Sequence, residues 1–198
     1  MSGVRFDKIL KKTVDDETIF YGIIFGNEKI VFIKTGADGK ILGADNKYLN
    51  MAYRAYEKSG ATVICSTNPF IEIGHLEADK ALISDVAREI KCDDYSVCMF
   101  GTSDGAYHNL KLANKLSQTA KILCVNTSTY DIDALKEMLV GLSHVEKIFV
   151  YGDKDDEYEY VPHLNELQLD RFKVVTVEGA DHHFKGMVNE FIGLIDLI

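Results

Sequence analysis

From Leu49 onward the chain alternates two patterns: short unbroken apolar runs, and segments whose apolar residues recur every three or four positions. Ala61–Ser66, Ala120–Val125, Lys147–Tyr151 and Phe172–Val177 read as strands, and Tyr95–Phe100 is a continuous apolar run of the kind buried on both faces of a parallel sheet. Between them, Ala78, Ala81, Leu82, Val86 and Ile90 mark one amphipathic helix and Ala106, Leu110 and Ala113 a second. Asp133–Val140, stopped by Gly141, reads as another, and a short helical piece stands near Pro162. Leu49, Ala52, Tyr53 and Tyr56 open the series with Gly60 as their stop, and Met187, Val188, Phe191, Ile192 and Ile195 close it. Strand–helix repetition leaves little freedom of architecture, because each right-handed crossover places its helix on a face of the sheet. Ahead of the series, Phe6–Val14, Thr18–Phe25 and Lys29–Thr35 read as strands separated by turn residues at Asp15-Asp16 and Gly26-Asn27, and are expected to pair antiparallel. The expectation is an α/β chain with a mostly parallel central sheet of about eight strands and about six helices covering both faces.

A chain of 198 residues with 46% hydrophobic content can bury a core of its own, so one domain spanning residues 1–198 is expected. Its formal net charge of −9, without any Lys/Arg-rich run, argues against nucleic acid and anionic membrane as partners, since both demand clustered positive charge. No segment approaches the roughly 18 unbroken apolar residues of a membrane span, and Met1–Lys12 alternates charges without the apolar stretch of a secretion signal. A cytoplasmic location is expected. Cys65, Cys92, Cys98 and Cys124 form no C-x-x-C pair, and three of them sit in apolar runs where a thiol packs as a small hydrophobe. Neither a metal site nor a disulfide is indicated.

In sheets of this kind ligands bind beyond the carboxyl ends of the strands, so the loops after Thr35, Phe100, Tyr151 and Val177 are the places to search. The second reads Gly101-Thr102-Ser103-Asp104-Gly105, a G-x-S-x-G set between a strand and a helix. A serine there takes a sharply turned backbone that projects its hydroxyl above the sheet, and only glycine-sized neighbours avoid a clash. The helix that follows turns its positive end toward that hydroxyl. The third loop reads Gly152-Asp153-Lys154-Asp155-Asp156-Glu157 and the fourth Glu178-Gly179-Ala180-Asp181-His182-His183-Phe184. A serine hydroxyl becomes a nucleophile only with a histidine to take its proton and a carboxylate to orient that histidine, and the three residue types arrive here in the order Ser, Asp, His. A calcium loop starting at Asp153 fails because Tyr158 stands at the sixth position, where glycine is required. His75, His108, His144 and His163 read as surface or helix residues.

With these motifs the sequence resembles, over essentially its whole length, the α/β-hydrolase family. It looks most like small capless members that carry G-x-S-x-G, then G-x-x-D after the penultimate strand and G-x-x-H after the last. Gly152–Asp155 and Gly179–His182 match the second and third motifs. The resemblance therefore implies the α/β-hydrolase fold, with Ser103 as nucleophile, Asp155 as orienting acid and His182 as base, while Asp153, Asp156, Glu157 and His183 stand close enough to compete. Acyl transfer also needs N–H donors waiting for the developing oxyanion. The amide of Asp104 supplies one; the resemblance places the other on the loop Thr35-Gly36-Ala37-Asp38-Gly39-Lys40, with Ala37 as candidate donor. Thr35-Gly36 stands where many relatives carry His-Gly. This loop lacks the glycine spacing and the Ser/Thr after lysine of a phosphate cradle, and no cofactor is expected.

Only Asn126–Asp131 lie between the strand ending at Val125 and the next helix, too few for a cap domain, so the site is expected to stand open to water. An open, acidic hydrolase without an apolar lid suits a small soluble carboxylic ester. The same residues would serve a thioesterase or a short-peptide hydrolase, and a binding protein that keeps the fold without the chemistry is the reading from another class. Tyr107, Tyr130, Tyr158 and Tyr160 read either as substrate contacts or as ordinary half-buried aromatics.

Overall fold

In the computed structural model, which describes residues 4–69 and 73–198, eight strands form one sheet. They are β1 (Lys8–Val14), β2 (Glu17–Ile24), β3 (Asn27–Ala37), β4 (Ala61–Asn68), β5 (Ser96–Thr102), β6 (Thr119–Val125), β7 (Glu146–Gly152) and β8 (Phe172–Val177), and they lie in the order β1-β2-β4-β3-β5-β6-β7-β8. The helices between and after them are α1 (Lys47–Ser59), α2 (Ile73–Glu89), α3 (Asp104–Ala113), α4 (Ile132–Gly141), α5 (Val161–Asn165) and α6 (Val188–Gly193). Each element falls within a few residues of its sequence signal. Gly60 ends α1 in the left-handed conformation at φ 67°, and the Asp131 carboxylate caps α4 by accepting from the amides of Asp133 and Ala134 at 2.9 and 3.2 Å.

The opening strands depart from expectation. β1 and β2 form the antiparallel hairpin, turned by Asp15 and Asp16 at positive φ, but β2 pairs next with β4, also antiparallel. β3 leaves the hairpin and enters the middle of the sheet, parallel to β4 on one side and β5 on the other. Burial explains the placement: Ile30–Thr35 are all buried, and a strand without a wet face needs neighbours on both edges and helices on both faces. The chain runs outward from β3 to β4 and then from β5 to β8 in the opposite direction. The reversal lies between β3 and β5, and a crevice opens at such a point above the carboxyl ends.

One apolar core lies on each face. Met51, Ala52, Phe100, Phe184 and Phe191 belong to the core under α1 and α6; Leu82, Val86, Leu110, Leu135 and Phe149 belong to that under α2, α3 and α4. The second face also encloses charge. Lys34 Nζ on β3 lies 2.7 Å from Asp79 Oδ2 on α2 and donates to Ser66 Oγ on β4 at 2.9 Å, with Lys34 and Asp79 fully buried. Tyr21 donates its hydroxyl to Asp79 Oδ1 at 2.9 Å, and His108 Nε2 on α3 lies 2.9 Å from Asp79 Oδ2. Burial alone would raise the Asp79 pKa, but Lys34 and His108 hold its carboxyl well below the usual carboxylate range. Of the surface-or-helix reading of His75 and His108 the helix part holds, on α2 and α3, but neither is at the surface: both are buried. Among the described residues no helix is long and apolar enough to cross a membrane.

Candidate active site

At the β5–α3 junction Ser103 has φ 52° and ψ −128°, a conformation that costs a non-glycine residue on the order of 1–3 kcal/mol. Its neighbours show why the turn is flanked by glycines. A Cβ on Gly105 would stand 2.1 Å from the Thr35 carbonyl oxygen, and one on Gly101 would stand 2.5 Å from Ala106 Cα. The tight turn seats α3 directly on β3 and leaves the Ser103 side chain above the β3–β5 crevice.

Three loops meet there. His182 Nε2, from the loop after β8, lies 3.1 Å from Ser103 Oγ, and His182 Nδ1 lies 2.9 Å from Asp155 Oδ2, from the loop after β7. The carboxylate accepts only if Nδ1 carries the proton, which leaves Nε2 as acceptor for the serine hydroxyl. Asp155 is buried, and its other oxygen accepts from the Glu157 amide at 2.9 Å. The hydrogen bond to Asp155 raises the His182 pKa above its ordinary value, against an opposing effect of burial.

The competing acids and the second histidine take other parts. Asp153 Oδ1 accepts from the Gly179 amide at 2.7 Å and ties two loops together. Glu157 Oε2 accepts from the Thr129 amide at 3.0 Å, and burial raises its pKa. Asp156 and His183 are exposed, the latter standing edge-on to His182 with ring centres 5.1 Å apart. The geometry brings together Ser103, His182 and Asp155.

Asp104 opens α3, where the first amides of a helix have no intrahelical acceptor. Across the crevice the end of β3, which extends through Gly36 and Ala37, runs close to the serine: a Cβ on Gly36 would lie 3.4 Å from Ser103 Cβ. Thr35 Oγ1 closes the loop that follows by donating to the Gly39 carbonyl at 3.1 Å, and the Asp38 amide donates to Asn68 O at 3.1 Å. Ala37, Ser103 and His182 line one cleft of about 860 Å³, which extends to Lys47, Tyr48 and Phe191. Tyr107 and Tyr130 pack edge-on, 5.5 Å between ring centres, and Tyr130 donates to Asp104.

Two residues of the loop after β6 carry weight that the sequence did not signal. Asn126, at φ 45°, donates through Nδ2 to the carbonyls of Asp181 and His182 at 3.2 and 3.1 Å, while its Oδ1 accepts from the Gly152 amide at 2.9 Å. One buried side chain thereby fixes the histidine loop to the acid loop. Ser128 Oγ lies 3.1 Å from Ser103 Oγ, on the side of the serine away from β3. Neither residue belongs to a spaced motif, so no local pattern pointed to them.

No family model and no curated protein sequence matches the chain. Its fold does match solved structures. An α/β serine hydrolase homologue from Coxiella burnetii superposes with a TM-score of 0.72 at 18% identity, covering 98% of each chain. An α/β serine hydrolase without a lid from Xanthomonas campestris gives 0.67 at 16% identity, over 96% of this chain and 92% of that one. The esterase domain of a Rhodothermus marinus protein gives 0.66 at 12% identity, over 96% and 95%. What such distant likenesses share is architecture, and with the mostly parallel eight-stranded sheet it establishes that this chain has the α/β-hydrolase fold.

Proposed function

We propose that this protein is a serine hydrolase that cleaves a small soluble carboxylic ester through an acyl-enzyme. The observation that carries the reading is the hydrogen-bonded line from Ser103 Oγ through His182 to Asp155, 3.1 and 2.9 Å, at the topological switch point. Its fold neighbours, which include serine hydrolases and an esterase domain, support the same reading. Ser103 Oγ attacks the carbonyl carbon as its proton passes to His182 Nε2. The Asp155 carboxylate stabilises the resulting imidazolium through Nδ1–H. The amides of Asp104 and Ala37 donate to the oxyanion, each such donor being worth roughly 3 kcal/mol of barrier. Collapse breaks the bond to the alcohol, which takes the proton from His182; water, deprotonated by His182, then releases the acid and returns the proton to Ser103. The free cysteines suit a reducing compartment, and we place the enzyme in the cytoplasm.

The cleft is open and mixed in charge, with only 126–131 between β6 and α4, so among the described residues nothing covers a long acyl chain. Across a series of p-nitrophenyl esters, kcat/KM is expected to be higher for acetate and butyrate than for octanoate and palmitate. A rising trend with chain length would overturn the open-site assignment.

His182 must be neutral to accept the serine proton, and its pKa is raised in the folded protein. Activity is therefore expected to climb with pH through a midpoint above the unperturbed histidine value of about 6.5. Asp155→Asn removes the largest cause of that shift, so the midpoint should move down, and kcat should fall by about a thousandfold or more as the imidazole loses its orienting acceptor. A pH–rate profile of both proteins decides it; an unmoved midpoint means Asp155 does not orient the base.

A further inference from the structure

Lys47 reaches the same cleft that holds Ser103 and His182. Its Nζ rests 4.4 Å from the centre of the Phe191 ring and 5.3 Å from that of Tyr48. Tyr48 in turn shares a 3.0 Å hydrogen bond with Thr102 Oγ1, so α1 is bonded at this end to the residue preceding the serine. Among the described residues, no carboxylate lies within ion-pairing distance of Lys47. The acid whose field reaches it, Asp181, gives its Oδ1 to the amides of His183 and Lys185 at 3.0 and 2.9 Å.

The other charged groups of the cleft differ in kind. Lys40, Lys185, Asp38 and Asp45 are exposed, where water screens them, whereas Lys47 is half-buried. Burial lowers its pKa, which means that the surrounding rings do not fully replace the water it has lost. A contact with an aromatic face returns only about 1–2 kcal/mol. An incoming anion would supply the missing counter-charge, and a charge-assisted hydrogen bond in a partly desolvated cleft is among the stronger polar contacts available.

We propose that Lys47 is a specificity determinant of this cleft, and that the ester cleaved carries a carboxylate that pairs with its ammonium. The proposal rests on the hydrolase reading above. A monoanion is favoured over a phosphate dianion because the protein carries a formal net charge of −9, which repels the more highly charged group.

Two matched ester pairs test it: p-nitrophenyl hemisuccinate against p-nitrophenyl butyrate, with the anion on the acyl side, and p-acetoxybenzoate against phenyl acetate, with the anion on the alcohol side. In at least one pair the wild type should prefer the charged ester, and Lys47→Met should lower the charged-to-neutral ratio of kcat/KM by about tenfold to a hundredfold. Lys47→Arg should keep most of the preference. A ratio that Lys47→Met leaves unchanged in both pairs, with the neutral esters still hydrolysed, overturns the anion subsite and leaves the hydrolase reading standing. Absence of turnover on every ester, together with an unlabelled Ser103, overturns the hydrolase reading instead. In that event calorimetric titration with succinate and p-hydroxybenzoate decides the subsite: binding abolished by Lys47→Met upholds it, and absent or unaltered binding removes it.

Discussion

Ser103→Ala is expected to lower ester turnover by at least about a thousandfold and to abolish covalent labelling by a fluorophosphonate probe. The magnitude follows from the proposed acyl-enzyme route: without the hydroxyl, the proposed oxyanion amides and the cleft remain, but water must attack unaided. The variant should keep its circular dichroism spectrum, because among the described residues the Ser103 side chain bonds only to His182 Nε2 and Ser128 Oγ, at 3.1 Å each. Labelling that persists at full rate in Ser103→Ala would place the reactive group elsewhere. Wild-type protein that is folded yet takes up no probe would turn the reading toward a binding protein that keeps the fold.

The second large effect concerns stability. Lys34→Met leaves the Asp79 carboxylate without its cation in a site that both residues share at 0% exposure, and breaking such a pair from one side costs about 3–5 kcal/mol. In a chain of 198 residues, where each kcal/mol moves Tm by about 2–4 °C, the midpoint should fall by about 6–20 °C. Replacing both partners, Lys34→Met with Asp79→Leu, should cost less than the sum of the single changes, because no uncompensated charge remains. The pH dependence has a definite sign. The folded-state pKa of Asp79 lies below its unfolded value, so this contribution is fully present above about pH 4 and is lost as pH falls through the folded pKa. Denaturant titrations of the single and double variants measure all of this, and a single-variant loss under about 1 kcal/mol would show that the cluster is hydrated or slack.

The consequence for the site is indirect but concrete. Lys34 immediately precedes Thr35, whose carbonyl meets Gly105 at the start of α3, and His108 binds the same Asp79 from within α3. The buried charges hold β3, α2 and α3 in one register beneath the serine turn. A slackened cluster should thus reduce activity at temperatures well below global unfolding.

Local signals account for what could be read in advance. G-x-S-x-G is legible because the clash that demands its glycines arises within a few residues and at one strand–helix junction. The acid and histidine loops are legible because each closes a strand with its own hydrophobic signature, and their chain order specifies which strand ends must converge. Burial of both faces likewise writes itself into the apolar runs of β4 to β7, whereas β8, at the edge of the sheet and carrying Lys173 and Thr176, is only partly buried. So the element order, the mostly parallel character of the sheet and the loops that carry the candidate residues were legible in the sequence, whereas which acid and which histidine of those loops meet Ser103 was decided by the fold.

Pairings between distant residues were decided only when the chain folded. β3 carries the apolar run of an interior strand, but its choice of β4 and β5 over β2 depends on competition among whole strands, which no single segment encodes. Lys34 meets Asp79 across 45 positions, and Asn126 meets His182 across 56, with no periodicity linking either pair. Whether a lysine such as Lys47 ends in solvent or against two aromatic rings is likewise a property of the packed helix and sheet. Short-range sterics and hydrophobic period are carried by neighbours in the chain, whereas electrostatic partners are chosen by proximity in space, and proximity exists only in the folded molecule.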